Sequence, residues 1–319
     1  MTSWRVHQLG DPADVLSFDE VPRPTPAAGQ VLVQVRAAGL NFLDVLMTQG
    51  SYQEKPPLPF TPGVEICGEV VGTGQRVIGA PAGGTGGYAQ YALMDAATAW
   101  PVPDAMSDEQ AAAFHLTYQT GHVGLHRRAH LRPGETLLVH AGAGGVGSAA
   151  IQLGKAAGAT VIATAGGPEK VDICRRLGAD AVVDYLAEDF VPVVKELTGG
   201  RGADVIYDPV GGDVFDRSRR CIAFEGRLVV VGFAGGRIPE APANHVMVKN
   251  YSVVGLHWGL YRRVAPVVIG QVHAELVRLF EAGAIAPLVG RADPLADAPA
   301  AMAALAGRGT VGKAVLVPR

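Results

Sequence analysis

The stretch "VHAGAGGVGSAAIQLGKAAGA", residues 139–159, decides how this chain folds. Gly142–Gly147 fits the glycine fingerprint G-x-G-x-x-G, which carries weight only when a strand runs into it and a helix leaves it. Both conditions are met. "TLLVHA" (136–141) is a short apolar run with no polar face, the pattern of a central parallel strand. "GGVGSAAIQLGKAAG" then places small and apolar residues at helical spacing. In such a turn Gly142 allows the tight bend. Gly144 and Gly145 let a pyrophosphate approach the backbone, and Gly147 lets the helix pack closely on the strand. The helix start then offers free N–H groups and a partial positive charge to the phosphates.

Working outward, the same alternation continues. "ATVIATA" (159–165), "DAVVDY" (180–185), "ADVIYDPVGG" (203–212), "GRLVVVGFAGG" (226–236) and "YSVVGLHWG" (251–259) read as further strands. "PEKVDICRRLGA" (168–179) and "DFVPVVKELTGG" (189–200) read as helices, the second despite Pro192. Alternating strands and helices of this length predict right-handed βαβ units and a doubly wound parallel sheet. Residues 1–118 differ, with short β segments such as "QVLVQVRAAGL" (30–40) and "VEICGEVVG" (64–72) cut by Pro and Gly. The amphipathic stretch 265–283 and the strand-like "GKAVLVP" (312–318) close the chain.

In a NAD site, an acid about 20 positions past the fingerprint binds the ribose 2′-hydroxyl. No acid stands at Thr164, Ala165 or Gly166, and Lys170 follows soon after. Loss of the acid and gain of a cation favour a 2′-phosphate, hence NADP(H).

Composition narrows the class. The 319 residues are 48% hydrophobic with a net charge of −3 and scattered Lys and Arg, which argues against a broad nucleic-acid face. No apolar run reaches the roughly 18 residues that span a bilayer, and "MTSWRVHQLGDP" does not read as a signal peptide. Cys67, Cys174 and Cys221 stand far apart and form no pair, which fits a reducing cytoplasm. His122, His126 and His130 fall at i, i+4 and i+8, and read as one surface face of a helix rather than a metal site.

"GETLLVHAGAGGVGSAAIQLGK" (134–155), "AAGLNFLDV" (37–45), "YDPVGG" (207–212) and the ending "GTVGKAVLVP" together resemble the zinc-free quinone oxidoreductase, or zeta-crystallin-like, branch of the medium-chain dehydrogenase/reductase superfamily. The resemblance covers essentially the whole chain. It implies an α/β fold in which a Rossmann doubly wound parallel sheet, residues 119–261, is inserted in a GroES-like mostly-β catalytic domain of residues 1–118 plus 262–319. Zinc-containing members carry Cys where this chain has Asn41 and His-Glu where it has Val64-Glu65. Val64 cannot ligate zinc, and the four-Cys lobe is missing.

Carried over residue by residue, the resemblance implies these roles. Asn41 lies near the nicotinamide, where an amide both donates and accepts. Thr120 bonds the carboxamide. Gly144, Gly145, Val146 and Gly147 meet the pyrophosphate, with Gly166 on the acid-free turn also at the cofactor. Lys170, Tyr185 and Arg308 hold the 2′-phosphate. Phe233 edges the nicotinamide pocket, and "GLHWG" (255–259) brings backbone near the amide. Tyr52 stands at the substrate mouth, to hydrogen-bond a quinone oxygen or to stack, with either it or solvent supplying the proton; Leu46 occupies a nearby position that is tyrosine in some members.

Without a metal to polarise a carbonyl, acceptors that give a stabilised phenolate or enolate are favoured. The expectation is NADPH-dependent hydride transfer to a quinone. An enone or enoyl-thioester reductase, and an NADPH-binding structural or regulatory protein, stand as alternatives. The resemblance also implies a homodimer, with "YSVVGLHW" as the candidate edge strand.

Overall fold

The computed structural model describes residues 1–318. They form two compact units: Met1–Leu116 together with the chain from Pro287 on, and Thr117–Ala286. The sequence places the return to the first unit at about 262; the structure places it at 287. The physical reason lies in a buried amide. Gln152 Oε1 accepts from the Ala286 N–H at 2.7 Å, and its Nε2 donates to Tyr118 Oη at 2.9 Å. Tyr118 Oη in turn donates to the Ala286 carbonyl at 2.9 Å. The chain is therefore tied to the glycine-turn helix until residue 286, and the helix Pro266–Glu281 buries Ile269, Val272, His273 and Leu276 before that point.

Six parallel strands make the sheet of the second unit. In spatial order they are Ala181–Asp184, Thr160–Ala165, Thr136–Val139, Ala203–Asp208, Ile222–Val230 and Ser252–Gly255. Numbered along the chain this is 3-2-1-4-5-6, the doubly wound order, whose direction reverses beside Thr136–Val139. Leu138, Ile162, Val183, Ile206 and Leu228 fill the core with Phe190 and Phe215. Each such side chain contributes about 1.5–3 kcal/mol on burial. Pro192 is accommodated because the helix Phe190–Leu197 places it in its first turn, where an N–H has no helical acceptor, and Asp189 caps the end by accepting from Val191 N at 2.8 Å.

His140, directly after the strand Thr136–Val139, is completely enclosed. Ser218 Oγ donates to the Val214 carbonyl, so it accepts from His140 Nε2 at 2.8 Å, and Thr164 Oγ1 lies 3.0 Å from Nδ1. The ring is thus the neutral Nε2–H tautomer. Burial, with a smaller push from Arg217, lowers its pKa from 6.5 to about 3. Below the unfolded value of 6.5 the unfolded chain takes up a proton that the native state refuses, so this group withdraws stability as pH falls towards 3. We expect His140→Gln to flatten the acid limb of stability by up to about 1.4 kcal/mol per pH unit in that window. Denaturant titrations at stepped pH read this directly, and an unchanged slope counts against it.

The first unit is mostly β. Its sheet runs Val289–Pro294, Lys313–Val317, Gln30–Gly39, Ile66–Val70, Arg76–Gly79 and Trp100–Pro101, with Tyr91–Asp95 also paired to Gln30–Gly39. Neighbours are antiparallel except the first two, which are parallel. Trp4, Val33, Val35, Ile66, Tyr88, Met94 and Leu316 sit in its core. The strand Gln30–Gly39 leads through Leu40 to Asn41, which precedes the helix Phe42–Thr48.

Candidate functional site

The carboxyl ends of all six parallel strands lie at one end of the sheet, where doubly wound folds bind their ligands. Five short connections leave that end: the glycine turn after Val139, Gly166–Gly167 after Ala165, Tyr185 after Asp184, Pro209–Gly212 after Asp208 and Phe233 after Val230. The sequence-predicted residues Gly144, Gly145, Val146, Gly147, Gly166, Lys170, Tyr185 and Phe233 are therefore brought together there. Thr120 belongs to the same unit, buried in the helix His115–His122. Asn41, Tyr52 and Arg308 belong to the other unit.

The glycines divide the labour differently from the sequence reading. The positive φ of the turn falls on Ala141 (+51°), while Gly142 is required by packing: a Cβ there would meet Cys174 Sγ at 2.8 Å and Ala163 Cβ at 3.0 Å. Gly147 does hold the helix against the strand, since its Cβ would lie 2.2 Å from the Ala141 carbonyl oxygen. Gly144, the residue before the helix Gly145–Ala156, faces open space, with only the Ala141 carbonyl at 3.3 Å. The backbone there is open to a ligand, as it is at Gly167, where a Cβ would meet nothing within 4 Å.

Tyr185 lies across Gly166, for a Cβ on Gly166 would come within 2.6 Å of the Tyr185 hydroxyl. Asp184, which the sequence reading passed over, fixes this corner by accepting from Gly167 N and Leu186 N, both at 3.0 Å. Lys170 stands in the first turn of the helix Pro168–Arg176, directly beyond. Asp208 does similar work for "YDPVGG": its Oδ1 accepts from Val210 N at 2.8 Å and Gly211 N at 3.0 Å. Phe233 packs on the resulting loop, its ring edge filling the space that a Cβ on Gly211 would need.

In the first unit, Asn41 is the visible member of a buried polar cluster. Its Oδ1 accepts from Lys313 Nζ at 2.7 Å, and its Nδ2 donates to Glu65 Oε1 at 3.2 Å and the Gly39 carbonyl at 3.3 Å. Lys313 also donates to the Leu40 carbonyl at 2.7 Å and pairs with Glu65. The other Glu65 oxygen accepts from Leu116 N at 2.7 Å. Gly39 must lack a side chain, because a Cβ would sit 2.3 Å from Glu65 Oε1. Asp44 accepts from Asn41 N at 2.9 Å, Tyr88 Oη at 2.8 Å and Gly63 N at 3.2 Å. Burial lifts its carboxyl to about 7 against the lowering by Tyr88, Lys313 and these backbone donors. Tyr52, half-buried in the following loop, is pushed up to about 12, mainly by burial and then by Glu54 and Asp44.

Sequence reasoning missed Glu65, Lys313 and Asp44 as members of this site. One signal was available: "GKAVLV" places a lysine at the head of an apolar strand, where a buried ammonium must find a carboxylate.

The residues at the zinc positions do not fit a zinc ion. Val64 has no donor atom, the Asn41 oxygen already accepts from an ammonium, and Cys67 is a buried thiol raised by burial and the nearby Asp108 carboxylate. Among the described residues no three His, Cys, Asp or Glu converge as a metal set. The histidine face predicted from spacing is formed in part: His122, His126 and His130 line one open surface pocket, but not from one regular helix. The helix widens into a π-turn over Val123–Arg128, so His130 falls beyond it at φ +50°. His122 and His126 are instead half-buried with ring centroids 4.5 Å apart. All three cysteines are free and buried, and no helix among the described residues is long and apolar enough to cross a membrane.

Comparison with known proteins gives matches to both units. Residues 27–104 match the alcohol dehydrogenase GroES-like domain and residues 145–273 match the zinc-binding dehydrogenase model. The quinone oxidoreductase-like protein 2 of Bos taurus is 39% identical over 94% of this chain and 88% of its own. The NADPH complex of Escherichia coli quinone oxidoreductase superposes with a TM-score of 0.92 at 32% identity, covering 100% of both chains. A mycobacterial protein complexed with NADPH gives a TM-score of 0.92 at 34% identity, again over 100% of both. The expected fold class, a Rossmann sheet inserted in a GroES-like unit, agrees with these matches.

Proposed function

This chain belongs to the zeta-crystallin-like, quinone oxidoreductase branch of the medium-chain dehydrogenase/reductase superfamily, and from that premise we propose that it is an NADPH-dependent oxidoreductase whose electron acceptor is a quinone. The observation that carries the reading is the bare backbone at Gly144, at the start of a helix and beside the reversal point of a 3-2-1-4-5-6 sheet. NADPH complexes of two similar proteins support the choice of cofactor. These residues fit a dinucleotide: Gly144, Gly145, Val146 and Gly147 receive the pyrophosphate, and Gly166, Lys170 and Tyr185 form the corner for a 2′-phosphate, with Arg308 as a further cation. Phe233, Thr120 and Asn41 are assigned to the nicotinamide end.

When bound, NADPH supplies the hydride of nicotinamide C4 to the acceptor. The protein's share is orientation and exclusion of water. Tyr52 carries its proton at neutral pH, as a phenol does, and burial raises its pKa further, so that proton is available to a developing phenolate, with solvent as the other source. The quinone is favoured over a simple carbonyl because nothing among the zinc-position residues fits a Lewis acid. We also assign Ser252–Gly255, one of the two edge strands of the sheet, to pairing with a second copy as a homodimer, which light scattering measures.

Two measurements test the reading. Purified protein should oxidise NADPH with a quinone; no turnover with either a quinone or an enone would sink it. Lys170→Ala should weaken NADPH about ten-fold or more while changing NADH less than about three-fold, since only the former presents a 2′-phosphate. Equal effects on the two would remove Lys170 from the phosphate corner.

A further inference from the structure

Three of the four hydrogen-bonding positions of the Asn41 amide are taken inside the protein. Oδ1 accepts from Lys313 Nζ, and Nδ2 directs its two hydrogens to Glu65 Oε1 and the Gly39 carbonyl. The orientation of the amide follows from its partners. An ammonium has no lone pair to offer and a carboxylate no proton, so the flipped amide would set N–H against N–H and oxygen against oxygen. One lone pair on Oδ1 is left.

We propose that Asn41 serves the bound dinucleotide as a hydrogen-bond acceptor only, for an N–H or O–H of the cofactor, and that Lys313 and Glu65 are the positioning residues that impose this polarity. The inference rests on the NADPH reading above and revises the expectation of an amide that both donates and accepts. Lys313 has no capacity to spare: its three hydrogens meet the Leu40 carbonyl, Asn41 Oδ1 and Glu65 Oε1. Glu65 is equally committed, to Lys313 and Asn41 through Oε1 and to Leu116 N through Oε2. Both side chains are enclosed, at 5% and 0% exposure, so neither reaches a ligand and each acts through Asn41. A free amide rotates to suit whatever it meets; this one is locked before the ligand arrives, and the ligand must bring the hydrogen.

An exchange of functional groups tests the assignment, with the NADPH dissociation constant read from nucleotide fluorescence and the unfolding midpoint from calorimetry. Asn41→Leu should weaken NADPH about ten-fold through loss of the acceptor. Asn41→Asp alone sets two carboxylates face to face, and Glu65→Gln alone sets an N–H against an N–H on one of its two sides; each should weaken binding to a similar degree. In Asn41→Asp/Glu65→Gln the new carboxylate keeps one oxygen on Lys313, and the new amide donates to the other while its own oxygen takes the Leu116 N–H. This pair should recover part of the loss, because the acceptor facing the ligand is restored although position 41 no longer carries any donor, while the Gly39 carbonyl loses its partner and Lys313 its contact at position 65. If the exchange binds as poorly as Asn41→Leu while its unfolding midpoint is near that of the wild type, Asn41 donates to the cofactor and the proposal is overturned. Wild-type affinity in Asn41→Leu also overturns it. A wild-type protein that binds no NADPH would instead overturn the cofactor reading, and the acceptor assignment with it.

Discussion

Lys313→Met is expected to lower the unfolding free energy by about 3–5 kcal/mol, the usual cost of leaving one partner of a buried ion pair alone. The Glu65 carboxylate is completely enclosed and has Lys313 as its charge partner. Its remaining donors, Asn41 Nδ2 and Leu116 N, are neutral and do not balance the charge. Adding Glu65→Gln should recover part of the loss, because a neutral group needs no counter-ion there. Urea titration of the single and double variants measures both effects. Equal stability of Lys313→Met and the double variant would mean that the packing of the lysine stem, and not the charge, is what matters.

Gly147→Ala is expected to cost about 3 kcal/mol, at the upper end for overpacking. The added methyl would stand 2.2 Å from the Ala141 oxygen, 2.8 Å from the Ala141 carbonyl carbon and 2.9 Å from Gly142 Cα. All three are backbone atoms, so no side chain can move aside and the strand, turn or helix must shift. Gly144→Ala makes the informative contrast. There the methyl meets a single atom at 3.3 Å, so stability should barely change, while NADPH should bind at least about ten-fold more weakly if the pyrophosphate rests on that backbone. Thermal unfolding and NADPH titration of the two variants separate the roles. A Gly144→Ala protein that binds like wild type would remove the pyrophosphate from that position.

Much of the second unit was legible in the sequence because its signals are local. A fully buried four-residue strand, a glycine turn and a helix start follow one another within 20 positions, and the same rhythm repeats. Even Pro192 was readable, since a first-turn proline breaks nothing. What escaped reading depends on residues distant in the chain or on backbone detail. Glu65 and Lys313 come from opposite ends of the first unit, and no periodicity links them. Gln152 lies within the stretch that carries the family resemblance, but its hold on Ala286, which moves the unit boundary, depends on two side chains and a backbone meeting in space. The positive φ at Ala141 and the π-turn that removes His130 from its helix are choices of the folded backbone, to which side-chain spacing is blind. The candidate site was legible as residue types. Its polarity was not, because the direction of an amide is set by its neighbours.

Cys67 belongs to the first unit and Cys174 and Cys221 to the second, and all three thiols are shielded and held in the protonated form. A thiol in that state is inert to alkylation until its surroundings open. The chain therefore carries its own stopwatches, one in one unit and two in the other. The rate at which each cysteine is labelled times the opening of the unit around it, with no probe to be installed.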